Sequence, residues 1–285
     1  MNTAMIDLDR LIEQANELAP LPATTVRLTE LVGSPDCHLG DVAELIEFDQ
    51  ALTVKLLRAA NSAAGGSAVP VATVREAVIR IGTARVLALA VASSARPLLQ
   101  GRVAAYGLDE GALWRHSVAA AVAAETVPAF CRLDVPPETF TTALLHDVGK
   151  LVMGRFLSPE ILGFIQRAQE VDHLGQLEAE SLLLDVHHGE LGGIIAQHWK
   201  LPPRVVLGIT YHHNPDLGLD LICDLTYLTN EVAKRIEAGL DGRQFDLAIS
   251  AQVAERLGLT PERLDNLCPV AASRYTQVCR RYNAV

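Results

Sequence analysis

Residues 142–150 have the sequence TALLHDVGK, which places a histidine and an aspartate side by side in an apolar run of helical character. Burying His146 and Asp147 in such a helix is costly unless they are hydrogen-bonded, paired with a charge or bound to a metal ion. A single pair of this kind is a weak sign of a site. The other histidines of the chain therefore decide how this stretch is interpreted.

Four further histidines each stand near the inner edge of a predicted helix. They lie in the stretches LWRHSV (113–118) and VHHGELG (186–192) and in the pair that follows at 212–213. Helices that project imidazole and carboxylate groups into one bundle core are a recurrent way to build a metal site. The predicted ligands are therefore His116, His146, Asp147, His188, His212 and His213.

His187 and His188 are neighbours in the chain, and the helix geometry indicates which of the two faces the predicted site. Adjacent residues of a helix point about 100° apart, so only one of the two faces the site. We favour His188, because it shares a helix face with Leu191, Gly192 and Ile195.

This set of side chains indicates a particular chemistry. Imidazole suits Fe, Zn and Ni, carboxylate suits Mn, and a carboxylate such as Asp147 can bridge two ions. The predicted cofactor is therefore one or two divalent transition metal ions. A metal pair activates water and holds both oxygens of a phosphoryl displacement. Lys150, one turn after His146, could neutralise a phosphate oxygen, so Asp147 and Lys150 are the candidate catalytic residues. The alternative is a set of hydrogen-bonded helix histidines that bind no metal.

The composition predicts an all-α fold. Apolar residues make up 49% of the 285 residues and aromatic residues only 5%. Ala, Leu and Val dominate, and the apolar positions follow a period of 3.6 with no sustained alternation. We expect helices at 110–130, 137–157, 161–171, 176–184, 188–199, 203–211, 219–238, 247–257 and 261–282, among others.

Charge and cysteine content exclude several classes of function. The formal charge is −10, which argues against a nucleic-acid partner, because such a partner needs a basic face. No apolar stretch is long enough to span a membrane, and acidic residues occupy the N-terminus where a signal peptide needs positive charge. The five cysteines include no CxxC pair, which fits the reducing cytoplasm.

Several stretches, in order along the chain, resemble the HDOD domain family, a regulatory branch of the HD metal-dependent phosphohydrolases. Residues 46–62, IEFDQALTVKLLRAANS, are similar to the hallmark N-terminal helix of that family. We interpret Asn61 and Ser62 at its end as a helix stop, with ligand binding as the alternative. Further similar stretches lie at 73–82, 144–151, 190–192, 199–202 and 212–215.

The resemblance spans residues 18–215 and implies an N-terminal helical lobe (about 18–105) packed on an HD-like lobe (about 106–235). A helix at 1–17 would precede this domain, and a C-terminal helical extension at 216–285 would follow it. The family implies a bacterial signalling output module, often without enzymatic activity. Its expected partners are signalling proteins on separate chains and a nucleotide or cyclic dinucleotide, with no nucleic acid or membrane.

Two departures from the family pattern bear on catalysis. Active HD hydrolases bind metal with a final aspartate after the last histidines, and the matching position here is Asn230. The Gly-Tyr-Pro stretch that marks cyclic-di-GMP phosphodiesterases is replaced by Asn214-Pro215-Asp216-Leu217. Asp224 could supply the missing carboxylate only if the helix register differed. We therefore favour a regulatory module, and the alternative is a metal-dependent phosphohydrolase that acts on a nucleotide or cyclic dinucleotide.

Overall fold

The computed structural model describes residues 8–63, 70–156, 161–163, 165, 167, 175–238 and 249–282. In that part of the chain the regular structure is helical, and the one β-type pairing is an isolated bridge between Val103 and Leu108. The predicted all-α fold is confirmed.

The N-terminal half consists of α1 (Leu8–Glu17), α2 (Ala23–Gly33), α3 (Leu39–Glu47), α4 (Gln50–Ala63), α5 (Val74–Ile81) and α6 (Thr83–Leu99). The boundary between α5 and α6 follows from local chemistry. Thr73 and Glu76 form a capping box at the start of α5, and Gly82 ends it with φ of 82°, a conformation that favours glycine.

Asn61 has a structural role that differs in detail from the predicted helix stop. Helix α4 continues past it to Ala63. The Asn61 amide holds the backbone of Val71, donating from Nδ2 to O at 3.0 Å and accepting from N at 2.7 Å. This clamp ties the end of α4 to the start of α5, so the side chain is used within the fold.

The second half consists of α7 (Ala112–Thr126), α8 (Thr139–Leu145), α9 (Gly149–Phe156), α10 (Gln176–Leu184), α11 (His188–His198), α12 (Pro203–Thr210), α13 (Pro215–Gly218), α14 (Leu221–Glu237), α15 (Ala251–Arg256) and α16 (Pro261–Tyr282). Most of these match the prediction. The single helix expected at 137–157 is wrong, because the chain turns at 146–148 and divides it into α8 and α9. The helix expected at 161–171 lies largely outside the described residues.

Helix α7 lies at the centre of the second half and packs against α8, α14 and α16. Its run of buried alanines lets these helices approach closely: Ala119, Ala120, Ala121, Ala123 and Ala124. Helix α11 packs against α9 and α12. These contacts bring the turn between α8 and α9 next to the start of α11 and the end of α12.

Within the described ranges, no single helix is long and apolar enough to cross a membrane. The pair α5 and α6 would pass that test by length and composition only, and the two helices meet at 107°.

The close approach of α9 to α11 depends on Gly149. A Cβ at this position would overlap the carbonyl oxygen of His188 and lie 2.8 Å from Gly192 N. Neither backbone can yield without separating the two helices. We therefore expect Gly149→Ala to lower the free energy of unfolding by about 1–3 kcal/mol, measured by chemical denaturation.

The matched control for this substitution is Gly40→Ala on α3, where a Cβ would meet no atom within 4 Å. Its free energy of unfolding should change by no more than about 0.5 kcal/mol. Equal stability of the two variants would contradict the role of Gly149.

Candidate metal centre

The structure brings the six predicted ligands together around one buried carboxylate. They come from four places in the fold: His116 on α7, His146 and Asp147 between α8 and α9, His188 at the start of α11, and His212 and His213 after α12. Asp147 is only 2% exposed and lies at the centre of the cluster.

A first group of donors surrounds one oxygen of this carboxylate. Asp147 Oδ2 lies 3.6 Å from His116 Nε2 and 3.5 Å from His146 Nε2. The two Nε2 atoms are 3.2 Å apart, and Asn230 Oδ1 lies 3.1 Å from His116 Nε2. Asn230 therefore stands beside the first group, in agreement with the predicted register.

A second group surrounds the other oxygen. Asp147 Oδ1 lies 3.3 Å from His188 Nε2 and 3.7 Å from His212 Nε2. His213 Nε2 lies 2.8 Å from His188 Nε2. In each group the candidate ligand atoms all lie within 4.8 Å of one another, and Asp147 belongs to both groups.

The hydrogen bonds of the imidazoles fix which nitrogen is available. Four rings donate Nδ1–H to an oxygen: His116 to Glu237 Oε2 at 2.9 Å, His146 to Ala143 O at 2.7 Å, His188 to Glu180 Oε2 at 2.7 Å and His212 to Ile209 O at 2.7 Å. A neutral ring that donates from Nδ1 keeps a lone pair on Nε2. All four rings thus turn Nε2, the nitrogen that would bind a metal once it is unprotonated, into one cluster, and this pattern is typical of metal-binding histidines.

Two atoms of the cluster lack the partner that buried polar atoms normally have. Asp147 Oδ1 and His212 Nε2 are buried, and neither makes a hydrogen bond to the described residues. Leaving such a group unpaired costs about 1–3 kcal/mol. One cation between them would satisfy both atoms. The donor set therefore fits a divalent transition metal ion, with imidazole and carboxylate as ligands.

The charges of the cluster also favour a cation. Burial lowers the pKa of His146 to about 4 and that of His213 to about 2, and it holds the pKa of His212 well below its ordinary value. Burial alone would raise the pKa of Asp147, but Lys150 and His146 outweigh it and hold that pKa well below its usual range. Three imidazoles are thus neutral ligands at neutral pH, and the carboxylate is ionised.

His188 behaves differently, and it should set the pH dependence of metal binding. Burial and Lys150 lower its pKa, but the carboxylates of Asp147 and Glu180 prevail and raise it above the ordinary value. The raised pKa favours a protonated His188 ring, and a metal ion that binds this ring must displace the proton. We expect the dissociation constant for Mn²⁺ to rise as the pH falls below the raised pKa of His188, whereas His146, His212 and His213 have lowered pKa values and stay neutral.

Glu180→Gln tests this assignment, because it removes one carboxylate that favours protonated His188. A plot of log Kd against pH should bend at a lower pH than in the unmodified protein, even where the overall affinity weakens. Glu178→Gln is the matched control, since Glu178 lies on the same helix and accepts from Gly175 N at 2.8 Å. A bend that stays at the same pH in Glu180→Gln would contradict the assignment to His188.

The remaining predicted residues are placed as follows. Lys150 Nζ donates to Asp147 Oδ2 at 2.6 Å, so it lies beside the first group. His187 caps α11 by accepting from Gly189 N at 3.1 Å, which agrees with the choice of His188 as the inward-facing residue.

Asp224 is bound by Arg256 at 2.6 and 2.8 Å and belongs to neither donor group. Asp224 therefore does not replace the missing carboxylate.

Two carboxylates that orient the histidines were missed in the sequence. Glu237 lies two turns after Asn230 on α14, so a search along that helix face could have found it. Glu180 carried no such signal, because nothing in the sequence pairs α10 with His188. Both residues hold a ring through Nδ1, a contact that commonly raises ligand basicity.

Comparison with known proteins places the chain in a family. The HDOD domain matches residues 18–215. An uncharacterized protein of Treponema pallidum (strain Nichols) is 28% identical over 205 residues, which is 72% of this chain but 39% of that protein. The chain thus spans well under half the length of this relative.

Solved structures share the fold. A protein of Shewanella amazonensis SB2B, provisionally named a phosphohydrolase, has a TM-score of 0.67 at 25% identity, covering 94% of this chain and 97% of its own. An HDOD domain protein of unknown function from Geobacter sulfurreducens has a TM-score of 0.72 at 22% identity. The match covers 96% of this chain and 98% of that protein. With the family match over residues 18–215 and the histidine–aspartate cluster, the chain belongs to the HDOD domain family.

Proposed function

We propose that the chain is a bacterial cytoplasmic signalling module that binds one divalent transition metal ion tightly and hydrolyses phosphodiesters slowly or not at all. Its partners would be signalling proteins on separate chains. The observation that carries the proposal is Asn230, an amide whose Oδ1 lies 3.1 Å from His116 Nε2, where a second carboxylate ligand is expected.

Electrostatics explains why this amide matters. Two unit charges 4 Å apart at an effective dielectric constant of 20 interact by about 4 kcal/mol, and the repulsion between two dications is about four times larger. A metal pair therefore needs several anionic ligands. Within the two donor groups, Asp147 is the one carboxylate, and the other donors are imidazoles.

Lys150 weakens the first group further. Its ammonium lies 2.6 Å from Asp147 Oδ2, the oxygen that faces His116 and His146. A cation at the first group would compete with this lysine for the same oxygen. Among the described residues, no lysine or arginine forms an ion pair with Asp147 Oδ1. The second group also contains the two unpaired atoms, Asp147 Oδ1 and His212 Nε2. The tightly bound ion is therefore assigned to Asp147, His188, His212 and His213.

A second candidate function is a metal-dependent phosphohydrolase that acts on a nucleotide or cyclic dinucleotide. The observation that favours it is the carboxylate of Asp147, whose two oxygens face one donor group each. A bound metal pair would activate water and polarise the phosphate. Lys150 lies close enough to the cluster to bind a phosphate oxygen. The provisional name of the Shewanella protein points in the same direction.

An assay on cyclic-di-GMP and on bis(p-nitrophenyl) phosphate, with added Mn²⁺ or Fe²⁺, separates the two functions. We expect the unmodified protein to be no faster than its Asp147→Asn variant. Robust turnover that disappears in Asp147→Asn would overturn the regulatory function and establish the hydrolase.

A further inference from the structure

A cavity of about 290 Å³ lies apart from the metal centre, between the N-terminal helices α4–α6 and the helices α7, α8 and α16. Its walls are largely apolar and include Ile81, Leu89, Trp114, Val118, Phe140 and Leu144. Ligand cavities start at about 300 Å³. At the ~30 Å³ that a water molecule occupies in the liquid, this one holds on the order of ten non-hydrogen atoms.

Charged side chains around the cavity favour an anion. Arg85 and Arg96 from α6 and Arg274 from α16 line it, and Glu125 is the one carboxylate among the described lining residues. Arg274 Nη2 lies 3.9 Å from Glu125 Oε2, so this carboxylate offsets one arginine and leaves a net positive charge. That excess stands out in a chain with a formal charge of −10. Guanidinium groups match the geometry of carboxylate and phosphate oxygens.

Trp114 adds an independent observation at the same place. Its side chain lines the cavity and is 5% exposed, yet its Nε1–H has no acceptor in the described part of the chain. Buried donors without an acceptor are uncommon in folded proteins. Arg96 Cζ lies 5.9 Å from the centroid of the Trp114 ring, which places a cation beside this aromatic wall.

We propose that this cavity binds a small amphiphilic oxyanion, with an apolar body of about ten non-hydrogen atoms and a carboxylate or phosphate head group. The apolar body lies against the side chains of α6, α7 and α8, and the head group lies at the arginines. The volume indicates the size of the ligand, the apolar walls indicate its body, and the excess of arginine indicates its charge.

The probe for this site is 8-bromooctanoate, whose bromine quenches tryptophan fluorescence on contact. The chain has two tryptophans, and Trp199 lies outside the cavity lining. The titration uses the 285-residue chain without added metal, so its result does not depend on the proposed function. We expect saturable quenching that is reversed by octanoate and is absent in Trp114→Phe.

The role of charge in binding is tested in two ways, by changing the head group of the ligand and by changing an arginine of the cavity. Octanol should bind at least tenfold more weakly than octanoate, and octyl phosphate should compete if a phosphate head group is accepted. Arg85→Glu should weaken 8-bromooctanoate binding about tenfold, because Arg85 is exposed and its reversal leaves the core intact. Arg75→Glu reverses an exposed arginine on α5 outside the lining and should leave binding unchanged.

The size of the cavity is tested by Ala92→Leu, which adds bulk to its α6 wall and should abolish quenching. Circular dichroism of each variant confirms that it is folded. Three results would each overturn the proposal: quenching that does not saturate, equal affinity for octanol and octanoate, or equal effects of Arg85→Glu and Arg75→Glu.

Discussion

Asp147→Asn is expected to remove nearly all bound metal from the protein, raising the dissociation constant for Mn²⁺ about 1000-fold. Asp147 is the one residue common to both donor groups, and both of its oxygens lie against imidazole nitrogens. Loss of one negative charge at about 4 Å and an effective dielectric constant of 20 costs ~4 kcal/mol against even a single positive charge. That energy corresponds to about three powers of ten in affinity.

Asparagine keeps the shape of the side chain, and Lys150, whose side chain is 19% exposed, can turn toward solvent. The variant should therefore fold. Its matched control is Asp224→Asn, a second buried carboxylate that is paired with Arg256 and belongs to neither donor group. Isothermal titration of both variants measures the effect. Equal loss of metal in the two variants, or unchanged binding in Asp147→Asn, would contradict the role of Asp147 as the shared ligand.

Asn230→Asp is expected to strengthen metal binding at the first group of donors, so that the protein binds a second metal ion more tightly than the unmodified protein does. The new carboxylate would stand about 3 Å from His116 Nε2, beside His146 and Asp147 Oδ2. It adds the anionic ligand that the first group lacks and offsets part of the repulsion between two dications. We expect the second Mn²⁺ ion to bind at least tenfold more tightly, ~1.4 kcal/mol, and phosphodiester hydrolysis to rise above the background of the unmodified protein.

The control for added charge is Asn266→Asp, which places the same substitution at an exposed position on α16 that belongs to neither donor group. Its stoichiometry and affinities should match those of the unmodified protein. If Asn230→Asp still binds one ion with unchanged affinity, the amide at this position is not what limits the first group.

The six residues predicted as ligands lie together in the structure, and the sequence indicated this grouping because such polar donors are costly to bury without a purpose. His116, His146 and His188 stand in apolar helical runs, and the structure places their Nε2 atoms around Asp147. The register of Asn230 was also predicted from its position after the last histidines, and it lies beside His116. That these residues bind a metal ion stays a prediction.

Features made by tertiary contacts were not predictable in the same way. The apolar period runs straight through residues 142–152, so nothing in it indicated the turn that separates α8 from α9. That turn accompanies the close approach of Gly149 to the backbone of His188. Glu180 meets His188 across the turn between α10 and α11, where helical periodicity is interrupted. The arginine-lined cavity depends on helices far apart in the chain, which local periodicity does not relate.

The most direct test of the metal centre is elemental analysis of the unmodified protein purified without a chelator. About one equivalent of Fe, Mn, Ni or Zn per chain is predicted, because four donors converge (Asp147, His188, His212 and His213) and two of their atoms, Asp147 Oδ1 and His212 Nε2, are buried without a partner in the described residues. Less than about a tenth of an equivalent, with no uptake of added Fe²⁺ or Mn²⁺, would show that these histidines only support the helix packing.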